Sequence, residues 1–105
     1  MNKGDIVLVA FPFTDIRGEK RRPAIVMGRS ADHVVLLFVT SQKTGDPSWH
    51  VLVRPTKGTG LTLASIVRCD KLTSLDVRTI RGELGSLNPG TLKNIDARMR
   101  NLLAL

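Results

Sequence analysis

Charged side chains stand at the ends of two apolar segments of this chain. Arg22 comes directly before Pro23 and an apolar run, and Arg68 and Asp70 close another apolar run. A small hydrophobic core gives no reason to bring charge to its strand ends, whereas a site that holds a phosphate does. Arginine suits a phosphate because its planar guanidinium group donates two parallel hydrogen bonds to phosphate oxygens. The two segments therefore predict an anion site.

Arg68 and Asp70 are separated by one residue in a segment that we predict to be a strand. Alternation along a strand puts both side chains on one face, about 7 Å apart. The plainer interpretation is a surface ion pair worth about 0–1 kcal/mol. In a site, Arg68 would be a cationic clamp, because arginine stays protonated. Asp70 could act as a base only if its pKa rose from about 3.9 towards neutrality.

Arg22 and Thr40 are expected to meet at one end of a hairpin. The turn over residues 29–32 is short, so the strands on either side of it should pair antiparallel. Their distal ends, marked by Arg22 and Thr40, then lie close together. Ser41 and Gln42 follow Thr40 and carry polar groups that can bond to an anion. Taken singly, Arg22 could also be a solvated strand end and Thr40 an ordinary strand residue.

The chain is strongly basic, with a net charge of +7 from 16 Lys and Arg against 9 Asp and Glu. Such a domain favours polyanions, which include nucleic acid, an acidic protein tail and anionic lipid. Solubility alone would account for scattered lysines. It accounts less well for the cluster of Arg17, Lys20, Arg21 and Arg22 in one loop.

Several other kinds of site are not expected. One cysteine and two distant histidines make a zinc site improbable, and the chain has neither a P-loop nor a dinucleotide fingerprint, so no metal or cofactor is predicted. Cys69 is interpreted as a small buried hydrophobe, and a single cysteine fits a reducing cytoplasm. The apolar run over residues 6–11 is too short for a membrane span and lacks the layout of a signal peptide, so no membrane association is expected.

The elements that position these residues are mostly strands. With 105 residues, the chain predicts one domain over residues 1–105. Short runs rich in Val, Ile and Leu predict strands over residues 5–10, 23–28, 33–40, 49–53, 63–69 and 83–86. Asn88 as N-cap, Pro89 in the first turn and Leu92, Ile95, Met99 and Leu102 at helical spacing predict a C-terminal helix. A short helical turn is also expected at residues 75–80. The predicted fold class is mainly β with a C-terminal α-helix, arranged as a compact, partly closed antiparallel barrel.

A series of short segments resembles the MazF/PemK family, the ribonuclease toxins of bacterial toxin–antitoxin modules. The segments keep the order and spacing of that family: residues 4–15, Arg22-Pro23-Ala24, Val39-Thr40-Ser41, Gly60-Leu61 and Val67-Arg68-Cys69-Asp70. The resemblance implies an SH3-like small barrel that forms a homodimer. It also implies sequence-specific, metal-independent cleavage of single-stranded RNA, which leaves a 2′,3′-cyclic phosphate and a 5′-hydroxyl. An antitoxin with an acidic tail is the implied protein partner.

The resemblance also assigns roles to individual residues. Arg22 and Thr40 match residues regarded as catalytic in MazF proteins. Arg68 and Asp70 match the residues proposed as acid and base in the Kid/PemK branch. That branch has a further catalytic histidine in its first loop, whereas residues 14–21 of this chain contain none. Arg17 or Lys20 could supply the missing positive charge, and His50 is a candidate from a different position.

The remaining candidates for RNA contact are Arg21, Ser41, Gln42 and Trp49. Trp49 could stack on an RNA base, although a lone tryptophan more often packs on the core. Two other functions stay open. The missing histidine motivates a non-catalytic barrel that binds RNA or an acidic peptide. A CcdB-like gyrase poison would share the fold, but the pair of Arg22 and Thr40 argues against it, because CcdB proteins lack that pair.

Overall fold

The computed structural model of the chain describes residues 1–10 and 20–105. This part contains six strands and one α-helix, in the order β1 (Asp5–Ala10), β2 (Arg21–Arg29), β3 (His33–Thr40), β4 (His50–Val53), β5 (Ser65–Asp76), β6 (Ile80–Ser86) and α1 (Pro89–Leu103). Two 3-10 turns, Pro47–Trp49 and Val77–Thr79, lead into β4 and β6. In the described part of the chain, no helix is both long and apolar enough to cross a membrane.

The strands form one antiparallel sheet with the order β4-β5-β3-β2-β1-β6. The predicted class, mainly β with a C-terminal helix, is confirmed. The prediction of a barrel needs a correction, because β4 and β6 are edge strands within residues 1–10 and 20–105 and the sheet is not closed. The physical reason lies in α1, whose Ile95 and Met99 pack into the core beside residues of β1, β2, β3 and β5. The helix covers apolar surface that a closed barrel would enclose with strands.

Both faces of the sheet are apolar and covered. Ile6 belongs to the core cluster that includes Ile95 of α1. Val7 and Val9, whose side chains lie on the other face of β1, belong to a second cluster with Val34. This division follows from the alternation of side chains along a strand. Cys69 lies fully buried in the first cluster, and desolvation raises the pKa of its thiol to about 11. The prediction of a buried, unreactive cysteine agrees with this environment.

The predicted hairpin of β2 and β3 is present, with Ala24 paired to Phe38 and Val26 to Leu36. The prediction for β5 was wrong at its C-terminal end, because the strand continues past residue 69 to Asp76. The polar residues after Cys69 break the apolar pattern, but residues 72–76 pair with β3, which satisfies the backbone groups of this part of the strand. The helical turn expected at residues 75–80 is reduced to the 3-10 turn Val77–Thr79, which the Asp76 side chain caps.

The C-terminal helix begins where its sequence signals predict. The Asn88 side-chain oxygen accepts a hydrogen bond from the Thr91 backbone N–H at 2.8 Å, and Pro89 occupies the first turn. Such a cap satisfies a donor that the helix itself leaves unpaired. Ile95 and Met99 are the buried residues of the helix, as their spacing indicated.

Candidate functional site

An irregularity in the pairing of β5 with β3 surrounds the residues with predicted chemistry. Leu37 pairs with Leu72, whereas Val39 pairs with Val67. Between these two pairs, β3 has one residue, Phe38, whereas β5 has the four residues 68–71. The bulge in β5 therefore contains three extra residues. Bulges of this kind bend a strand and redirect its side chains, and they are frequent beside functional sites.

Arg68 and Asp70 form a bidentate ion pair within this bulge. The Arg68 Nη2 and Nε atoms donate to the two carboxylate oxygens of Asp70 at 2.9 and 3.2 Å. Only 14% of the Arg68 side chain is exposed, compared with 26% of the Asp70 side chain. The predicted proximity of the two residues on one face is therefore present, and the pair is better ordered than a solvated surface contact.

The same contact changes the chemistry expected of Asp70. The hydrogen bonds from the Arg68 guanidinium group are the main reason that the pKa of Asp70 lies below its usual value, and burial opposes them only in part. A general base near neutral pH needs a raised pKa. That condition is not met, so the geometry favours Asp70 as the residue that orients Arg68.

A cavity of about 450 Å³ lies against Arg68 of this pair. Three cationic side chains line it: Arg22 from the start of β2, and Arg68 and Lys71 from β5. Three hydroxyl side chains share the lining, those of Thr40, Thr44 and Thr73. A cleft lined with several positive charges and hydroxyl donors binds a phosphate by charge and by hydrogen bonds together.

The hairpin brings Arg22 and Thr40 to the same cavity, as the sequence predicts. Thr40 Oγ1 accepts a hydrogen bond from the Gln42 backbone N–H at 3.1 Å. Because this oxygen acts as an acceptor here, the hydroxyl group keeps its own proton for donation to a ligand. Arg22 is exposed, and no ion pair to it is formed by residues 1–10 and 20–105. Its guanidinium group is thus available to an incoming anion.

A second cavity, of about 210 Å³, adjoins the first and shares Arg22, Val39 and Thr40 with it. Its other apolar lining residues are Pro23, Leu61 and Leu63. Its other polar lining residues are Ser41, Gln42, Thr62 and Ser65. Leu63 is 60% exposed, so it presents apolar surface to solvent in this cavity. Ser41 and Gln42 therefore lie beside the cationic cavity, in the position expected of groups that contact a bound chain.

The other predicted residues lie in different places. His50 pairs with Arg68 across β4 and β5, and its Nε2 is buried without a hydrogen-bond partner among the described residues. It does not line either cavity. Trp49 is half-buried and packs against the core, as a lone tryptophan more often does. Lys20 and Arg21 are exposed beside Arg22, and Arg17 lies outside the described residues.

Three polar residues of the cationic cavity are not predicted from the sequence: Lys71, Thr44 and Thr73. Lys71 directly follows the Val-Arg-Cys-Asp segment, so its charge was a usable signal, but the predicted strand ended before it. Thr44 is 24 residues from Arg68 along the chain, yet its Oγ1 accepts a hydrogen bond from Arg68 Nη1 at 3.5 Å. No local pattern predicts that contact. In residues 1–10 and 20–105, no three His, Cys, Asp or Glu side chains are grouped so as to hold a metal ion.

Comparison with known proteins identifies a family. Residues 2–103 match the family model of the PemK-like, MazF-like toxin of type II toxin–antitoxin systems. No curated protein matches the chain.

Solved structures show the same architecture. The MazE–MazF complex of Deinococcus radiodurans includes a chain 26% identical to this one, with a TM-score of 0.76 over 100% of this chain and 97% of the other. The toxin MazF-mt6 of Mycobacterium tuberculosis is 19% identical, with a TM-score of 0.78 over 96% and 97% of the two chains. An endoribonuclease in complex with its cognate antitoxin, from a mycobacterial species, is 18% identical, with a TM-score of 0.75 over 98% and 94%. With a family model that spans nearly its whole length, the chain belongs to the PemK-like, MazF-like toxins of type II toxin–antitoxin systems.

Proposed function

We propose that this toxin is a sequence-specific endoribonuclease that cleaves single-stranded RNA. The observation that carries the proposal is the cavity lined by Arg22, Arg68 and Lys71 together with Thr40. In the proposed reaction, the 2′-hydroxyl oxygen of the RNA bonds to the adjacent phosphorus, and the bond from phosphorus to the 5′-oxygen breaks. The products are a 2′,3′-cyclic phosphate and a free 5′-hydroxyl.

Electrostatic stabilisation is the main contribution that this site offers. The phosphorane that forms during attack carries more negative charge than the ground-state phosphodiester. Arg22 and Arg68 can each direct a pair of N–H donors at its oxygens, and Thr40 can add one O–H donor. Donors that are already in place where charge develops commonly contribute a factor of about 10²–10³ each to the rate. Arg68 is held in place before RNA binds, because Asp70 fixes its guanidinium group.

Proton transfer needs two further groups. The 2′-hydroxyl must lose a proton, and the leaving 5′-oxygen must gain one. Because Asp70 is engaged by Arg68, it does not meet the condition for a general base. His50 is the alternative candidate from the sequence: it is adjacent to Arg68 in the sheet but does not line the cavity, so the variant His50→Ala decides whether it takes part. Lys71 lines the cavity and carries an ammonium proton that can be passed to the 5′-oxygen.

The second cavity offers a place for a nucleobase next to the cleaved phosphate. Leu61 and Leu63 provide apolar surface against which a base can lie, while Ser41 and Gln42 carry donors and acceptors for its edge. Single-stranded RNA is read in this way, through unstacked bases that expose their edges. The sequence preference of the enzyme would then depend on the residues of this cavity.

The decisive experiment is incubation of the purified, antitoxin-free toxin with long single-stranded RNA in EDTA, followed by mapping of the new 5′ ends. We expect discrete cuts that carry 5′-hydroxyl groups, and cleavage that is slower by about 10²-fold or more with Arg22→Ala under the same conditions. RNA that is bound but left intact would support the alternative of a non-catalytic binding module, which the missing first-loop histidine motivates. A strict requirement for magnesium would refute the metal-independent mechanism.

The protein partners follow from the charge of the site. We propose an antitoxin with an acidic tail that lies across Lys20, Arg21 and Arg22, and a toxin that acts as a homodimer in the cytoplasm. A similar chain from Deinococcus radiodurans was solved as a MazE–MazF complex. The antitoxin should compete with RNA, and its binding should weaken with salt. The double change Lys20→Glu with Arg21→Glu should weaken the binding of both ligands. Simultaneous binding of RNA and antitoxin would refute the shared site, and a strict monomer in light scattering would refute the dimer.

A further inference from the structure

Gly45 lies directly against the guanidinium group of Arg68. A methyl group built on its Cα would be 2.5 Å from Arg68 Cζ and closer still to Nη2, far inside any normal contact distance. Gly45 has a φ of +83°, a conformation that glycine adopts without the strain other residues incur. The bare Cα of Gly45 thus forms one wall of a slot that holds the guanidinium group.

The remaining walls of this slot are polar. Asp70 accepts two hydrogen bonds from Arg68, and Thr44 Oγ1 accepts a third from Nη1. Thr44 and Gly45 are consecutive, so the loop between β3 and β4 supplies both a hydrogen-bond acceptor and a close backbone contact to one side chain. With only 14% of its side chain exposed, Arg68 has little room for another orientation inside the slot.

The loop that carries Gly45 is fixed at its far end. Asp46 caps the 3-10 turn Pro47–Trp49: its Oδ1 accepts from the Ser48 N–H at 3.0 Å, and its backbone oxygen accepts from the Trp49 N–H at 3.1 Å. Arg98 of α1 donates to the Ser48 backbone oxygen. Trp49 packs against the core. Because the loop is tied to the helix and the core, an added side chain at position 45 would displace Arg68 rather than the loop.

We propose that Gly45 is a positioning residue, which orients the Arg68 guanidinium group towards the cationic cavity by leaving it a slot of the right width. The expected effect of Gly45 on cleavage rests on the proposed function, whereas its effect on the orientation of Arg68 does not. A side chain at position 45 would force the guanidinium group out of the slot and break its bidentate pair with Asp70. The phosphate would then lose an oriented donor although Arg68 itself is still present.

The first test measures the pair itself and needs no RNA. We would titrate the Asp70 carboxyl by NMR in the wild-type protein, in Gly45→Ala and in Gly4→Ala. Gly4 is the matched control, because it also has positive φ, at +93°, and a Cβ there would also meet the far end of a flexible side chain, that of Leu92. We expect the pKa of Asp70 to rise towards its ordinary value in Gly45→Ala and to stay unchanged in Gly4→Ala. An unchanged titration in Gly45→Ala would overturn the proposal.

The second test is a double-mutant cycle on cleavage. If Gly45 acts through Arg68, Gly45→Ala should reduce single-turnover cleavage by about the 10²-fold expected for a misplaced donor and add no loss in an Arg68→Ala background. Losses that multiply in the double mutant would show independent roles and refute the inference. Gly45→Asn provides a second variant, because asparagine tolerates positive φ but still carries a Cβ. Should wild-type toxin cleave no RNA, the proposed function fails, while the NMR titration still decides whether Gly45 positions Arg68.

Discussion

Replacing Asp70 with asparagine separates the two roles that this residue could have. The change keeps the size and shape of the side chain and removes its charge. As a general base, Asp70 would contribute about 10²–10⁴-fold to the rate. As the residue that orients Arg68, it would contribute much less, and its replacement would leave the pH dependence of the reaction unchanged.

The structure gives the magnitude for the second role. Asp70 accepts bonds from both Nη2 and Nε of Arg68, at 2.9 and 3.2 Å. An asparagine amide can accept only one of them, because its second polar group is a donor. One charge-assisted hydrogen bond contributes about 1.5–3 kcal/mol, and contact with solvent reduces that value. Since about 1.4 kcal/mol corresponds to a factor of ten in rate, we expect Asp70→Asn to lose about tenfold.

The assay is single-turnover cleavage of a short RNA between pH 5 and 8. Because the pKa of Asp70 lies below its usual value, Asp70 stays ionised across this range and should contribute no acidic limb. Asp76→Asn is the matched control. Asp76 forms the same kind of bidentate pair with Arg78, at 2.9 and 3.0 Å, at the C-terminal end of β5. Asp76→Asn should therefore cleave at the wild-type rate.

Two results would refute this reasoning. A loss of several hundredfold in Asp70→Asn, with disappearance of the acidic limb, would show that Asp70 is the base in spite of its pair with Arg68. Equal losses in Asp70→Asn and Asp76→Asn would show that both changes act through the stability of β5. His50→Ala completes the series, because collapse of the rate and of the acidic limb in that variant would identify His50 as the base.

Three further predictions concern cleavage and stability. Arg22→Ala should lower single-turnover cleavage by about 10²-fold or more and leave urea unfolding unchanged. Arg22→Lys should restore little of the cleavage, because an ammonium group cannot replace a bidentate guanidinium group. Near-normal cleavage by Arg22→Ala would show that Arg22 is not part of the site. Ile95→Ala should lower the free energy of unfolding by about 2–5 kcal/mol, since Ile95 is fully buried, whereas the exposed Lys93→Ala should change it little in the same urea titration. The pKa of the Asp76 carboxyl is lowered to about 2, chiefly by its hydrogen bonds with Arg78. Its stabilising contribution is therefore present above about pH 4 and is lost as pH falls towards 2. Unfolding midpoints measured across this interval should fall less steeply for Asp76→Asn than for the wild-type protein, and parallel curves would contradict the assignment.

Much of the fold could be predicted from local patterns. Short runs rich in Val, Ile and Leu identified the strands. The short turn at residues 29–32 identified the β2–β3 hairpin, which brought Arg22 and Thr40 together. The cap at Asn88 fixed the start of α1. The end of β5 was missed because its last residues are polar and are held by pairing with β3, which is not a property of their own sequence.

The open sheet was also beyond local reasoning. The sequence pattern of each strand does not show whether the two edge strands of a sheet pair with each other, because that pairing depends on how the whole sheet packs. Here Ile95 and Met99 of α1 cover the core, and β4 and β6 are edge strands in the described part of the chain. The helix itself was predictable, but its place in the packing was not.

The sequence by itself determined which residues could act on a phosphate. The types of Arg22, Thr40, Arg68 and Asp70 and their places at strand ends made them candidates, and the resemblance to the MazF/PemK family was needed to prefer them to plainer interpretations. Only the tertiary structure decided what each can do. It paired Asp70 with Arg68 and so lowered the pKa of the carboxyl, and it set Gly45 against a guanidinium group 23 residues further along the chain. The physical reason is that chemical type is a property of one residue, whereas pKa and orientation depend on neighbours that the fold brings from distant parts of the chain.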